Sequence, residues 1–108
     1  MATKKVAVLW SDNAKADLKR IYEFIKITSQ SVQVAKNVRD DILGGSRKIT
    51  YAEQYQVDEI LGLSFRRMIV RHYKIIYKTQ SDAEIRVLSV FDTRQDPKKL
   101  RETNSLAG

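Results

Sequence analysis

Apolar and polar positions along this chain change period twice, and each change predicts a new kind of element. Val6-Ala7-Val8-Leu9-Trp10 is a short unbroken apolar run, which predicts a buried strand. Ser11 and Asp12 follow it and offer capping oxygens for a helix start. Ala14, Leu18, Ile21, Tyr22 and Ile25 then recur at steps of three and four. That spacing lines one face of a helix ending near Thr28 or Ser29. Ser29-Gln30-Ser31 interrupts the pattern and caps a second helix. Its stripe is Ala35, Val38 and Ile42, widened by Val34 and Leu43, with Lys36, Arg39, Asp40 and Arg47 opposite. Gly44-Gly45 costs about 1 kcal/mol per glycine in a helix interior, so a kink or an end is expected there, with helix resuming toward Ile49. The short connection predicts an antiparallel helical hairpin.

Tyr51 to Ser64 has no clear period and is read as an irregular connection, with Leu61 and Leu63 tucked under a sheet. Three strands follow, near Phe65–Val70, Tyr73–Thr79 and Glu84–Phe91. Arg71-His72 makes a tight link, and Gln80-Ser81-Asp82-Ala83 makes a hairpin turn, so these strands form an antiparallel meander. Asp92 to Leu100 leaves the sheet, Pro97 opens a last helical turn, and Arg101 to Gly108 frays. The predicted class is α+β in the order β-α-α-β-β-β, with the helical hairpin packed on one face of a mainly antiparallel sheet. The other face is then left for partners.

Composition narrows the chemistry. A length of 108 residues suits one domain, spanning 1–108 with an ordered core of about 5–100. There is no Cys, which removes disulfides, thiolate nucleophiles and cysteine-based zinc sites. With 20 Lys and Arg against 13 Asp and Glu, the formal charge is +7, which favours acidic partners. From Ser64 to Gln80 the chain carries Arg66, Arg67, Arg71, His72, Lys74 and Lys78 and no acid. No apolar run approaches the ~20 residues of a membrane span. The opening apolar run is shorter than the roughly 7–15 residues of a secretory signal, so a cytoplasmic protein without membrane partners is expected. One His and scattered acids match no metal spacing, and no cofactor or phosphate-loop motif appears.

Three segments in this order resemble the RelE/ParE toxin superfamily of bacterial type II toxin–antitoxin systems. Tyr73-Lys74-Ile75-Ile76-Tyr77 is similar to the family's Tyr-Arg-Ile-Ile-Tyr strand. Val90-Phe91-Asp92-Thr93-Arg94-Gln95-Asp96-Pro97 resembles its closing strand and Arg-x-x-Pro segment. Leu9-Trp10-Ser11 with Ala14, Leu18 and Ile21-Tyr22 resembles its opening strand and first helix. The resemblance covers Val6 to Leu100 and implies a growth-inhibiting toxin neutralised by a cognate antitoxin, in a hetero-oligomer, of a kind tied to plasmid stabilisation. The superfamily divides between ParE-like members, which inhibit DNA gyrase without cutting, and RelE-like members, which cut mRNA on the ribosome.

Cutting RNA through the 2′-hydroxyl needs a base, an acid and cations at the phosphorus. His72 is the one histidine, so a two-histidine mechanism is excluded. Under the resemblance, Lys74 stands where RelE-like enzymes place a strand arginine, and Arg94 where they place a second one. Leu100 falls where they place a tyrosine, and the nearest acid is Glu102. These departures favour the ParE-like reading. If the chain is instead an endonuclease, Arg66, Arg67, Lys74 and Arg94 are the phosphate clamps. For either partner, Arg66, Arg67, Arg71, Lys74, Lys78, Arg86 and Arg94 are the candidate partner- or phosphate-binding residues. A plain sheet-based nucleic-acid module is a third reading, marked by steep salt dependence. Tyr73 and Tyr77 are open to core packing or base stacking, and Trp10 is read as core.

Overall fold

The computed structural model describes residues 6–50, 54–62 and 64–94. Its elements are β1 (Ala7–Trp10), α1 (Asp12–Ser29), α2 (Val32–Ser46), β2 (Arg66–Val70), β3 (Tyr73–Ser81) and β4 (Glu84–Asp92). They follow the predicted β-α-α-β-β-β order. The strands form one sheet in the order β1-β4-β3-β2. β2, β3 and β4 pair antiparallel, and β1 runs parallel to β4, with Trp10 opposite Val87.

Both helices begin where a serine oxygen satisfies an otherwise unpaired amide. Ser11 Oγ accepts from Ala14 N–H at 3.0 Å and Ser31 Oγ from Val34 N–H at 3.1 Å. Gln30, at φ +56°, reverses the chain between them. The two apolar stripes meet on one sheet face. Ala14, Val38 and Ile42 pack with Tyr73, Ile75, Tyr77, Ile85 and Val87 in the main core. Both tyrosines are therefore packing residues, at 4% and 0% exposure. Trp10 borders this core, and its Nε1–H donates to Ser46 Oγ at 3.2 Å.

Gly44-Gly45 does not break α2, which runs on to Ser46 and goes no further. A Cβ on Gly45 would lie 2.6 Å from Val70 Cγ2, so the glycine is what lets α2 approach β2. The packing gained there outweighs its low helix propensity. The last hairpin turn is also tighter than its sequence predicts. Ser81 pairs with Glu84, leaving a two-residue loop, and a register irregularity between Thr79 and Ser81 absorbs the extra residue.

A second irregularity falls between Ile76 and Tyr77, whose partners are Ser89 and Val87. Leu88 is the extra residue, and it joins Ile76 in a small cluster apart from the helical core. Ile60, Leu61, Phe65 and Phe91 pack against that pair. The outer sheet face is therefore partly covered by the chain's own connection, because it carries apolar residues of its own to bury. Leu61 takes the place its sequence predicts. Leu63, the turn at Pro97, Leu100, Glu102 and the tail lie outside the described residues. Among the described residues, no helix is long and apolar enough to cross a membrane.

β1 lines β4 only as far as Val87, and α1 caps the edge beyond it. The Leu88 carbonyl accepts from Ser11 Oγ at 3.2 Å and Asn13 Nδ2 at 3.0 Å. Val90 N–H donates to Asp17 Oδ2 at 3.0 Å. Asn13 and Asp17 are one helical turn apart, so both reach the same strand edge.

Candidate interaction surfaces

The seven candidate cations do not form one free surface, because four of them meet carboxylates of the same chain. Lys74 is 5% exposed on β3. Its Nζ lies 2.8 Å from Asp58 Oδ1 and 3.1 Å from Glu59 Oε1. The Asp58 contact is a charge contact rather than an aligned hydrogen bond. Asp58 is 0% exposed, and its Oδ2 accepts from Ile60 N–H at 3.0 Å and Leu61 N–H at 2.9 Å. Glu59 also meets Arg67 Nε at 2.7 Å, and Arg67 Nη2 donates to Gln56 Oε1 at 3.0 Å. A bond from its own backbone N–H holds the Glu59 carboxyl below its usual range, with Lys74 and Arg67 adding to the effect. This network pins the 56–61 connection to the outer sheet face.

Arg71, in the β2–β3 turn at φ +55°, lies 2.7 Å from Asp41 on α2. Arg94 donates twice from its side chain to Asp92, at 3.1 and 3.0 Å, and its backbone N–H donates to the same carboxylate at 2.9 Å. Those bonds hold Asp92 below the usual carboxylate range and raise Arg94. Arg66 is half-buried and donates to the Tyr55 carbonyl at 2.8 Å.

Lys78 and Arg86 differ from the rest. They are paired in register across β3 and β4. Lys78 Nζ lies 5.7 Å from the centre of the Phe65 ring, and Arg86 is exposed. Among the described residues, neither meets a carboxylate within ion-pair distance.

Two grooves border the helices. One, of about 450 Å³, lies between α1 and the end of the sheet, against Asp17, Arg20, Phe24, Tyr73, Asp92 and Arg94. Burial raises Asp17 above the usual carboxylate range, against the lowering effects of the Val90 bond and Arg20. Burial, aided by Asp92, raises Tyr73. His72 sits at the turn, its ring 4.2 Å from that of Tyr73 and its Nε2 3.9 Å from Asp92 Oδ2. The other groove, of about 460 Å³, runs over both helices, with Trp10, Leu18, Tyr22 and Leu43 as floor and Lys15, Lys19 and Arg39 as rim. Among the described residues no three His, Asp or Glu side chains gather as a metal site would need.

Residues 8–97 match the model of the ParE toxin family of type II toxin–antitoxin systems, parDE. The chain belongs to the ParE toxin family. It is a ParE-like type II toxin, and the system implies a cognate antitoxin as partner. Its fold is similar to that of a solved chain titled "Chromosomal ParDE TA system from P. aeruginosa", with a TM-score of 0.69 and 16% identity. That match covers 82% of this chain and 96% of the other. No curated protein matches by sequence.

Arg66, Arg67, Lys74, Lys78 and Arg86 stand on the strands their sequence predicts, whereas the carboxylates that meet Arg67, Arg71 and Lys74 come from segments that no local pattern links to them. Asp58 and Glu59 lie some fifteen residues from Lys74, in a stretch with no period to place it. The edge caps Asn13 and Asp17 carried one faint signal, polar residues four apart beside the apolar stripe of α1.

Proposed function

We propose that this toxin is a non-catalytic inhibitor of DNA gyrase, silenced in the cytoplasm by its antitoxin. The observation that carries the reading is Lys74. It stands where an RNA-cutting relative would need a phosphate-binding cation, and it is sealed between Asp58 and Glu59 at 5% exposure. A cation so committed would have to abandon a buried carboxylate to reach phosphate. Arg94, the second clamp of that mechanism, is engaged by Asp92. Membership in the ParE family supports the same side of the division.

The antitoxin is assigned to the helical layer. Phe24 and Ile27 on α1 are 63% and 71% exposed, and Val32 and Val34 on α2 are 48% and 43% exposed. Such apolar exposure favours a covering partner. The groove floored by Trp10 and Tyr22, with Lys15 and Lys19 on its rim, suits an acidic amphipathic segment that orders as it binds.

Purified toxin titrated into a gyrase supercoiling reaction should abolish supercoiling, and added antitoxin should restore it. Message on translating ribosomes should stay intact by primer extension. Unimpaired supercoiling together with cuts within codons would instead assign the toxin to ribosome and mRNA.

A further inference from the structure

We infer that Lys78 and Arg86, on the outer face of the sheet, form the contact by which the toxin grips an acidic, partly apolar protein segment of its target. The inference rests on the proposal that the target is gyrase. Like charges placed directly opposite on paired strands destabilise the pair. Here Lys78 faces Arg86 in register. The available neighbour, Glu84, lies on the same face of β4, yet its contact is with Ser81 Oγ, at 3.5 Å. By contrast Arg67, Arg71, Lys74 and Arg94 each meet a carboxylate of the chain itself. Arg66 stands on the helical face of β2 with Met68 and is half-buried against the Tyr55 carbonyl. Among the described residues, the charge left open to a partner on the outer face is thus concentrated on this pair.

Their setting favours protein over nucleic acid. Affinity for duplex DNA accumulates over many neutralised phosphates, and two cations supply little of it. The flanks are apolar: Leu9, paired with Arg86 across β1 and β4, is 40% exposed, and the Phe65 ring lies beside Lys78. Cations bordered by apolar side chains suit carboxylates with aliphatic or aromatic neighbours. Both cations stand on the two central strands, so the backbone that carries them is fixed before the partner arrives. The site also lies on the opposite side of the sheet from the helical layer assigned to the antitoxin.

The test compares wild type, Lys78→Glu/Arg86→Glu and the milder Lys78→Gln/Arg86→Gln. The readouts are gyrase binding, supercoiling inhibition and antitoxin binding at two salt concentrations, with unfolding midpoints as a control. Charge reversal should weaken gyrase binding and inhibition at least about tenfold, most strongly at low salt, and leave antitoxin binding within about twofold. The glutamine pair should fall between, and it carries the test if the glutamate pair does not fold. Inhibition equal to wild type overturns the inference while leaving gyrase as target. Loss confined to antitoxin binding reassigns the pair to the antitoxin and overturns it too. A wild-type toxin that neither binds nor inhibits gyrase removes the target proposal and this inference with it.

Discussion

Lys74→Met removes the ammonium that the outer sheet face buries while keeping most of the side chain's volume. Removing one partner of a buried ion pair costs about 3–5 kcal/mol, because the other charge is left uncompensated. Here the remaining charge is Asp58, fully buried but still accepting from the Ile60 and Leu61 amides. Glu59 is 59% exposed and keeps Arg67, so its loss is small. The expected cost lies at the low end, about 3 kcal/mol. For a domain of this size each kcal/mol moves Tm by about 4 °C, so the midpoint falls by about 12 °C. Circular dichroism melts and urea titrations measure this directly. Hydrogen exchange should report the local consequence: amides at Ile60 and Leu61 lose protection before those of β3. Asp58→Asn in the same background should cost less than the two single changes summed, by about 1 kcal/mol or more. A Lys74→Met toxin within about 0.5 kcal/mol of wild type would refute the buried-pair account. Full stability with activity lost would show that Lys74 acts on a ligand instead.

The two adjacent glycines of α2 should respond oppositely to alanine. Gly44→Ala meets nothing within 4 Å and should stabilise by about 0.5–1 kcal/mol, whereas Gly45→Ala forces Val70 to move and should lower stability by up to about 2 kcal/mol in chemical denaturation. Asp17→Ala orphans the Val90 amide and should cost about 1–3 kcal/mol, while Asp17→Asn keeps an acceptor there. The folded state raises the Asp17 pKa, so the stabilisation linked to it is fully present below 3.8 and is lost as pH rises through the folded value. Asp17→Asn should therefore gain on wild type as pH rises toward neutral in a pH series of melts. Asp92 has the reverse sign: its lowered pKa gives stability present above 3.8 and lost as pH falls through the folded value, and Asp92→Asn should flatten that acid limb.

Local periodicity was enough to place the described helices and strands in order, because each element buries one face and the burial pattern is written at its own spacing. Ser11 and Ser31 marked the helix starts for the same local reason, since a cap acts within three residues. Tertiary structure alone decided which cations stay free. Coulombic partners are chosen by distance in space, and Asp41 and Asp58 reach Arg71 and Lys74 across thirty and sixteen residues of chain. It also decided that α2 continues through Gly44 and Gly45, because the decisive contact is with Val70 on another element. The bulge at Leu88, which turns an extra apolar residue onto the outer face, arises from strand register, a relation between two segments that neither encodes by itself.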